Sequence, residues 1–214
     1  MVIIAPSVLA ENEEEYQAQM QRIAPFAERV HIDVSDGEFT PHATAPLHQV
    51  WWPETMKADI HMMVRRPEEH IEWLLKLRPN LVIFHAEADG DVLSALRTLR
   101  AEGIRAGVAL QRRTVPSSVE ELIKESDHVR IFSGKLGEFG GEVNYMQLEK
   151  IRLIQKINGH AEIGWDGGIN LQNIYNLVHG GVQVAVVGKI IHSSEDPDET
   201  YQRLILEAAR RSSI

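Results

Sequence analysis

Two histidines and two aspartates in this chain are spaced so that they could share one cation. His31-Ile32-Asp33 closes a short apolar run, Arg29 to Ile32, with an imidazole and a carboxylate two residues apart. In a strand that spacing sends both side chains to one face. Val34-Ser35-Asp36-Gly37 then leads into a loop at a glycine, where the chain can turn sharply. His61 closes the run Ala58 to Ile60, and Asp166 closes Glu162 to Trp165 just before Gly167-Gly168. Alone, H-x-D is an ordinary polar strand end. Four such groups at strand ends make a four-ligand metal site. The chain has no cysteine, so any metal must be held by histidine and carboxylate. That donor set suits zinc, manganese, iron or cobalt and does not choose among them.

The elements that would carry these groups alternate along the chain. Strands are expected over Ile3 to Ala5 (ended by Pro6-Ser7), Arg29 to Asp33, Ala58 to His61, Leu81 to His85, Ala106 to Leu110, Val129 to Phe132, Glu162 to Asp166 and Val182 to Val187. Between them come helical patterns: Glu13 to Ile23, a short one over Leu47 to Trp52, one opened by Pro67, one from Val92 to Gly103, and one from Ser117 to Glu125. Three more follow, around Leu148 to Ile154, from the cap Asn170 towards Gly180-Gly181, and from Asp196-Pro197 onwards. Strand ends recur at roughly 25-residue intervals, and eight β-then-α units with right-handed crossovers close into a (β/α)8 TIM barrel. No composition break interrupts residues 1–214, so one domain is expected. An open, doubly wound sheet is the competing architecture. Ser7, Asp33, His61, His85 and Asp166 all fall at carboxyl ends of strands, the face on which barrels build active sites, and this favours the barrel.

Composition excludes several classes. With 43% hydrophobic and 25% charged residues the chain reads as globular. Its net charge of −9, from 22 basic and 31 acidic residues, argues against a nucleic-acid partner but not against a small anion in a locally positive pocket. No run approaches the roughly 18 apolar residues of a spanning helix, and the amino terminus lacks a signal-peptide pattern. A cytoplasmic protein without membrane contact is expected, and a homo-oligomer, with Trp51-Trp52 as barrel packing or a subunit contact. Glycines after three consecutive strands, Gly140-Gly141, Gly167-Gly168 and Gly188, offer backbone N–H groups at the edge where barrels hold phosphate. His85 is read as a support for the ligand set, not a member of it.

With these residues in view, the chain resembles the ribulose-phosphate 3-epimerases from Ile4 to about Pro197. The matching signatures are I-A-P-S-V-L, H-I-D-V-S-D-G-E-F, D-I-H-M-M-V, F-G-G and W-D-G-G-I-N. The resemblance implies that His31, Asp33, His61 and Asp166 hold one divalent metal ion, that Asp33 and Asp166 are the acid/base pair, and that Ser7 contacts substrate. It further implies that His61, Gly140, Gly141, Gly167, Gly168, Gly188 and Lys189 border a sugar phosphate, D-ribulose 5-phosphate being converted to D-xylulose 5-phosphate. The chemistry suits those residue types. Epimerisation beside a ketone removes a proton from one face of the carbon and returns one to the other, which two flanking carboxylates can do. A divalent cation stabilises the enediolate between the two steps.

Several positions depart from the family pattern. Ser35 replaces a common methionine, as does Phe132, and G-K-L-G-E-F-G-G-E replaces N-P-G-F-G-G-Q. Q-R-R-T replaces N-P-x-T, and Lys189 follows Gly188 where serine is common. None touches the metal or the acids, but all border the substrate, so an allulose 6-phosphate epimerase or a non-catalytic sugar-phosphate-binding relative are the alternatives. A sugar-phosphate decarboxylase ranks low, because Ser35 takes the place of the lysine of its D-x-K-x-x-D motif.

Overall fold

The computed structural model describes residues 2–134, 136 and 140–210. Eight parallel strands, β1 (Ile3–Val8), β2 (Arg29–Ser35), β3 (Lys57–Met63), β4 (Leu81–His85), β5 (Arg105–Leu110), β6 (His128–Phe132), β7 (Glu162–Asp166) and β8 (Val184–Val187), pair in sequence order. The barrel closes where Ile3 to Pro6 of β1 register with Val184 to Val187 of β8. This is the expected TIM barrel. The helices are α1 (Glu13–Ile23), α2 (Ile71–Leu77), α3 (Val92–Ala101), α4 (Glu120–Lys124), α5 (Glu149–Ile157), α6 (Ile174–His179), α7 (Lys189–His192) and α8 (Pro197–Ala208).

The first and last helices start for local reasons. Asn12 caps α1 by accepting from Glu15 N at 3.0 Å, in front of three glutamates that suit the positive end of the helix. Tyr16, Met20 and Ile23 lie on its buried stripe and dock it to the barrel. Asp196 caps α8 in the same way, accepting from Glu199 N at 2.9 Å with Pro197 in the first turn.

Alternation within the strands divides the molecule into two interiors. Val129 and Ile131 of β6 face the apolar layer between barrel and helices, together with Val82, Phe84, Ile163, Trp165 and Leu204. His128, Arg130 and Phe132 of the same strand alternate with them and face the barrel lumen, as the two-residue period of a strand requires. Leu81, Ile83 and Ala109 form a small apolar cluster separate from the outer core. Beside it, buried polar and charged side chains of β2, β3 and β6, among them Arg29, His31, Asp59, His61, His128 and Arg130, occupy the lumen.

Four local expectations change. The crossover between β2 and β3 contains only a 3₁₀ turn, Leu47–Gln49, where a short helix is expected as far as Trp52. Trp51 instead sets its ring edge-on to Tyr16, 6.4 Å between centroids, and its carbonyl accepts the Tyr16 hydroxyl at 2.6 Å. β8 begins at Val184, not Val182, because Gly181 turns at φ 105° and Val182 N still closes α6 by donating to Leu177 O. Asn170 caps a turn, accepting from Gln172 and Asn173 N–H groups, and α6 starts only at Ile174. Finally α7, one turn long, follows β8 directly and is not expected from the sequence. Among the described residues no helix is long and apolar enough to cross a membrane.

Candidate active site

The strand register brings the four candidate ligands together. Asp33 of β2 sits opposite His61 of β3, and Asp166 ends β7 beside Phe132 of β6. One donor atom from each of His31, Asp33, His61 and Asp166 can be chosen so that all lie within 4.8 Å of one another. His31 Nε2 is 3.1 Å from Asp33 Oδ1 and 3.5 Å from Asp166 Oδ2. His61 Nδ1 is 2.8 Å from Asp33 Oδ1 and 3.9 Å from Asp166 Oδ2. Both imidazoles are fully buried, whereas the aspartate side chains keep 12% and 15% exposure and so face the cleft.

The two carboxyls are pushed apart in acidity. Burial alone would raise Asp33, but the charge and hydrogen bonds of His31 and His61 outweigh it and hold the group well below the usual carboxylate range. Asp166 is raised, chiefly by burial and further by the negative charge of Asp33, although His31 pulls the other way. Their surroundings thus set the two carboxyls apart, Asp33 as the stronger acid and Asp166 as the weaker, facing the same space.

Behind His61 runs a chain of polar groups. His61 Nε2 lies 2.9 Å from His85 Nε2, and His85 Nδ1 lies 3.2 Å from Glu87 Oε2. Glu87 is itself fixed: its Oε1 accepts from Gln111 N at 2.9 Å and from the Thr114 hydroxyl. Despite burial, His85, Thr114 and Gln111 keep Glu87 below the usual carboxylate range, so it is ionised and accepts. His85 therefore donates from Nδ1 and accepts at Nε2, and His61 donates from Nε2. His61 Nδ1 faces Asp33 Oδ1 at 2.8 Å, close enough for the two to share a proton or a metal ion. The donor set fits a divalent ion.

The cleft above is lined by Ser7, Leu9, Asp33, Met63, Phe132, Gly134, Gly140, Asp166, Gly167, Gly168, Ile169, Val186, Gly188 and Lys189. Most of the expected substrate-bordering residues are among them. Two are not: His61 is wholly buried beneath Asp33, and Gly141 is exposed outside the lining. Gly167 and Gly168 also have a packing reason to be glycine. Both have positive φ, and a Cβ on Gly167 would meet Gly134 N at 2.2 Å, so the loops after β6 and β7 touch backbone to backbone.

Several departures from the family pattern are accounted for by local contacts. Ser35 does not line the cleft; its hydroxyl is 2.6 Å from that of Thr40, and its N–H donates to Thr44 Oγ1 at 2.9 Å, which fixes the loop after β2. Arg112 of Q-R-R-T donates from Nε to Ser133 O at 2.9 Å and braces the loop after β6. Phe132 packs over the histidines, with ring centroids 6.0 Å from His61 and 5.7 Å from His85. Within the altered sixth loop, residues 135 and 137–139 lie outside the described residues, including Phe139 of F-G-G.

Two site neighbours escape the sequence reading. Glu87 could have been found two residues after His85, the same spacing as His31 to Asp33. Arg130, wholly buried with Nη1 2.7 Å from His31 Nδ1, is signalled only by the alternation of His128, Arg130 and Phe132.

Comparison with known proteins agrees with this architecture. The 3-hexulose-6-phosphate synthase of Salmonella typhimurium superposes with a TM-score of 0.74 over 97% of this chain and 98% of that one; at 14% identity this likeness carries the fold alone. In sequence the chain is 29% identical to the ribulose-phosphate 3-epimerase of Aquifex aeolicus, over 95% of this chain and 96% of the relative. It is 30% identical to the cytoplasmic isoform of ribulose-phosphate 3-epimerase from Oryza sativa subsp. japonica, over 98% and 93%. Residues 3–192 match the profile of the ribulose-phosphate 3 epimerase family, and the chain belongs to that family of epimerases.

Proposed function

We propose that this protein interconverts D-ribulose 5-phosphate and D-xylulose 5-phosphate by moving a proton between Asp33, C3 and Asp166. The observation that carries the reading is the Asp33–Asp166 pair, two carboxyls on one cleft whose surroundings push their acidities in opposite directions. In one direction the ionised Asp33 removes the C3 proton from its face, and the protonated Asp166 delivers one to the other face. In the reverse direction the roles exchange. His31, Asp33, His61 and Asp166 would hold the metal ion. When bound, a divalent cation supplies Lewis-acid charge that stabilises the two enediolate oxygens.

The remaining residues position and enclose. Glu87 and His85 fix the orientation of His61, so that its Nδ1 points at the aspartates. Met63 and Phe132 line the cleft with apolar surface beside the reacting carbon, which limits water near the intermediate. Ser7, Gly188 and Lys189 offer a hydroxyl, an N–H and an ammonium to the phosphate.

The test is solvent deuterium incorporation at C3 of D-ribulose 5-phosphate, with metal analysis of the same sample. Exchange together with xylulose 5-phosphate formation supports the reading. No exchange with the pentulose, but exchange with a hexulose 6-phosphate, would move the substrate; none with either would leave a binding protein.

A further inference from the structure

Beneath the two aspartates, the barrel lumen contains one cation more than its lower carboxylates can use. Asp59 accepts from Arg29 Nε at 2.7 Å and from Asn80 Nδ2 at 2.8 Å. Glu162 accepts from Arg29 at 3.1 and 3.0 Å, from Arg105 at 3.2 Å and from His128 Nδ1 at 2.9 Å. Arg29 and Arg105 thus match Asp59 and Glu162 charge for charge.

Arg130 lies outside that set. It is wholly buried, its Nε and Nη2 have no hydrogen-bond partner, and among the described residues it forms no ion pair. Its Nη1 lies 2.7 Å from Nδ1 and 3.0 Å from Nε2 of His31. Such nearness to both ring nitrogens puts the guanidinium against the ring face, not in line with one lone pair. The carboxylates that act on it most are Asp166, Asp59 and Asp33, in that order. A buried cation without a paired anion is strongly unfavourable. With Asp59 already engaged, the negative charge that retains Arg130 is that of the two aspartates at the mouth.

We propose that Arg130 is a built-in counter-charge for the Asp33–Asp166 pair and that it lowers the affinity of the His31–Asp33–His61–Asp166 cluster for a divalent cation. This rests on the reading of that cluster as a metal site. The guanidinium and the ion draw on the same two carboxylates and repel each other in a region of low dielectric. Arg130 also lies against a ligand imidazole, so its charge weakens that donor. Space for so large a group comes partly from β7, where Gly164 has no side chain: a Cβ there would stand 3.5 Å from Arg130 Nε and 2.4 Å from His128 Nε2.

The experiment is Mn²⁺ titration calorimetry on chelator-stripped wild type, Arg130→Met, Arg130→Gln and Arg130→Lys, with thermal unfolding of each before and after loading. The Met and Gln variants should bind Mn²⁺ about tenfold or more tightly than wild type, and the Lys variant within about threefold of it. Because coupling is reciprocal, neutralising Arg130 should lower the melting temperature of the stripped protein more than that of the loaded one. A merely structural Arg130 would lower both alike and leave the Mn²⁺ constant unmoved, which overturns the proposal. Mn²⁺ binding to none of the proteins overturns the metal reading and this proposal with it; equal binding by wild type and Arg130→Met overturns this proposal alone. Should neither neutral variant fold, wild type carries the test. At millimolar Mn²⁺ its melting temperature should rise by less than about 5 °C, and a rise beyond about 10 °C marks tight binding and overturns the proposal.

Discussion

Lowering the pH from 7 to 4 should cost the barrel about 3 kcal/mol through one residue, His128. Its side chain is fully buried in the lumen, with Nδ1 2.9 Å from Glu162 Oε2 and Nε2 unpartnered. Burial, aided by the charge of Arg130, pushes the imidazole from its ordinary 6.5 down to about 4, although Glu162 and Asp59 favour the charged form. Between those values the unfolded chain binds a proton that the folded chain does not. Stability therefore rises with pH; the contribution is complete above pH 6.5 and is lost as pH falls towards 4. A shift of about 2.5 units at 1.36 kcal/mol each sets a ceiling of about 3.4 kcal/mol, nearly all of it gone by pH 4. The assay is urea unfolding of wild type and His128→Gln at pH 7, 6, 5 and 4, read as the difference between the two curves. Whatever the variant loses at pH 7, wild type should fall by about 3 kcal/mol relative to it by pH 4, equivalent to roughly 6–12 °C in melting temperature. Glu162, held below its usual range mainly by His128 and Arg29 despite burial, adds a loss below pH 4.5, where Arg29 and Arg105 still engage it in the variant. Parallel stability curves from pH 7 to 5, before Glu162 enters, would refute the reasoning.

Three further predictions concern the cleft. His61→Ala should abolish C3 exchange and sharply reduce bound metal while circular dichroism shows an intact barrel; full metal stoichiometry in the variant would exclude His61 as a ligand. Asp33→Asn and Asp166→Asn should each stop net epimerisation, by about 10²-fold or more, while single-epimer proton washout can survive in one of them; unimpaired turnover in either removes that residue from the mechanism. Lys189→Ser should raise KM for the phosphorylated sugar by up to about fivefold, for a charge contact of roughly 1 kcal/mol, with the larger change in KM than in kcat. That effect should shrink with ionic strength, and an unchanged KM at low salt would assign the ammonium to solvent.

The eight strands and all four candidate ligands were legible because a chemistry-bearing residue at the end of an apolar run is visible in one dimension. His31, Asp33, His61 and Asp166 need no knowledge of register to be found. Arg130 is different. In His128-Val129-Arg130-Ile131-Phe132 the same arginine could face solvent or a barrel lumen, and only closure of the sheet decides. Glu87 was hidden for another reason: it lies in the loop just past β4, and its role depends on Gln111 and Thr114, which reach it from the loop after β5. A 3₁₀ turn replaced the expected helix at Leu47–Gln49, and another, Pro116–Val119, took the first turn of the one expected from Ser117 to Glu125, since the apolar spacing of three or four residues that a turn and a short helix share does not separate them. Ser35, suspected of altering the substrate roof, proved to be committed to Thr40 and Thr44.

The polar column inside this barrel bears on how its parts could be exchanged. From Glu162 and Arg29 at one rim, through Asp59, His128 and Arg130, charged and polar side chains follow one another to His31 and so to the mouth. In a barrel whose lumen is filled by layers of branched aliphatic side chains, mouth residues can be transplanted while the foundation stays neutral to the change. Here a chimera that imports only the mouth of a relative would inherit a foreign electrostatic base. Arg29 of β2 pairs with Asp59 of β3, and Glu162 of β7 takes Arg29, Arg105 of β5 and His128 of β6, so a swap that keeps these charges matched must carry β2, β3, β5, β6 and β7 together. A single-strand exchange of β6 would take His128 from Glu162 and Arg130 from His31 at once, leaving Glu162 to Arg29 and Arg105.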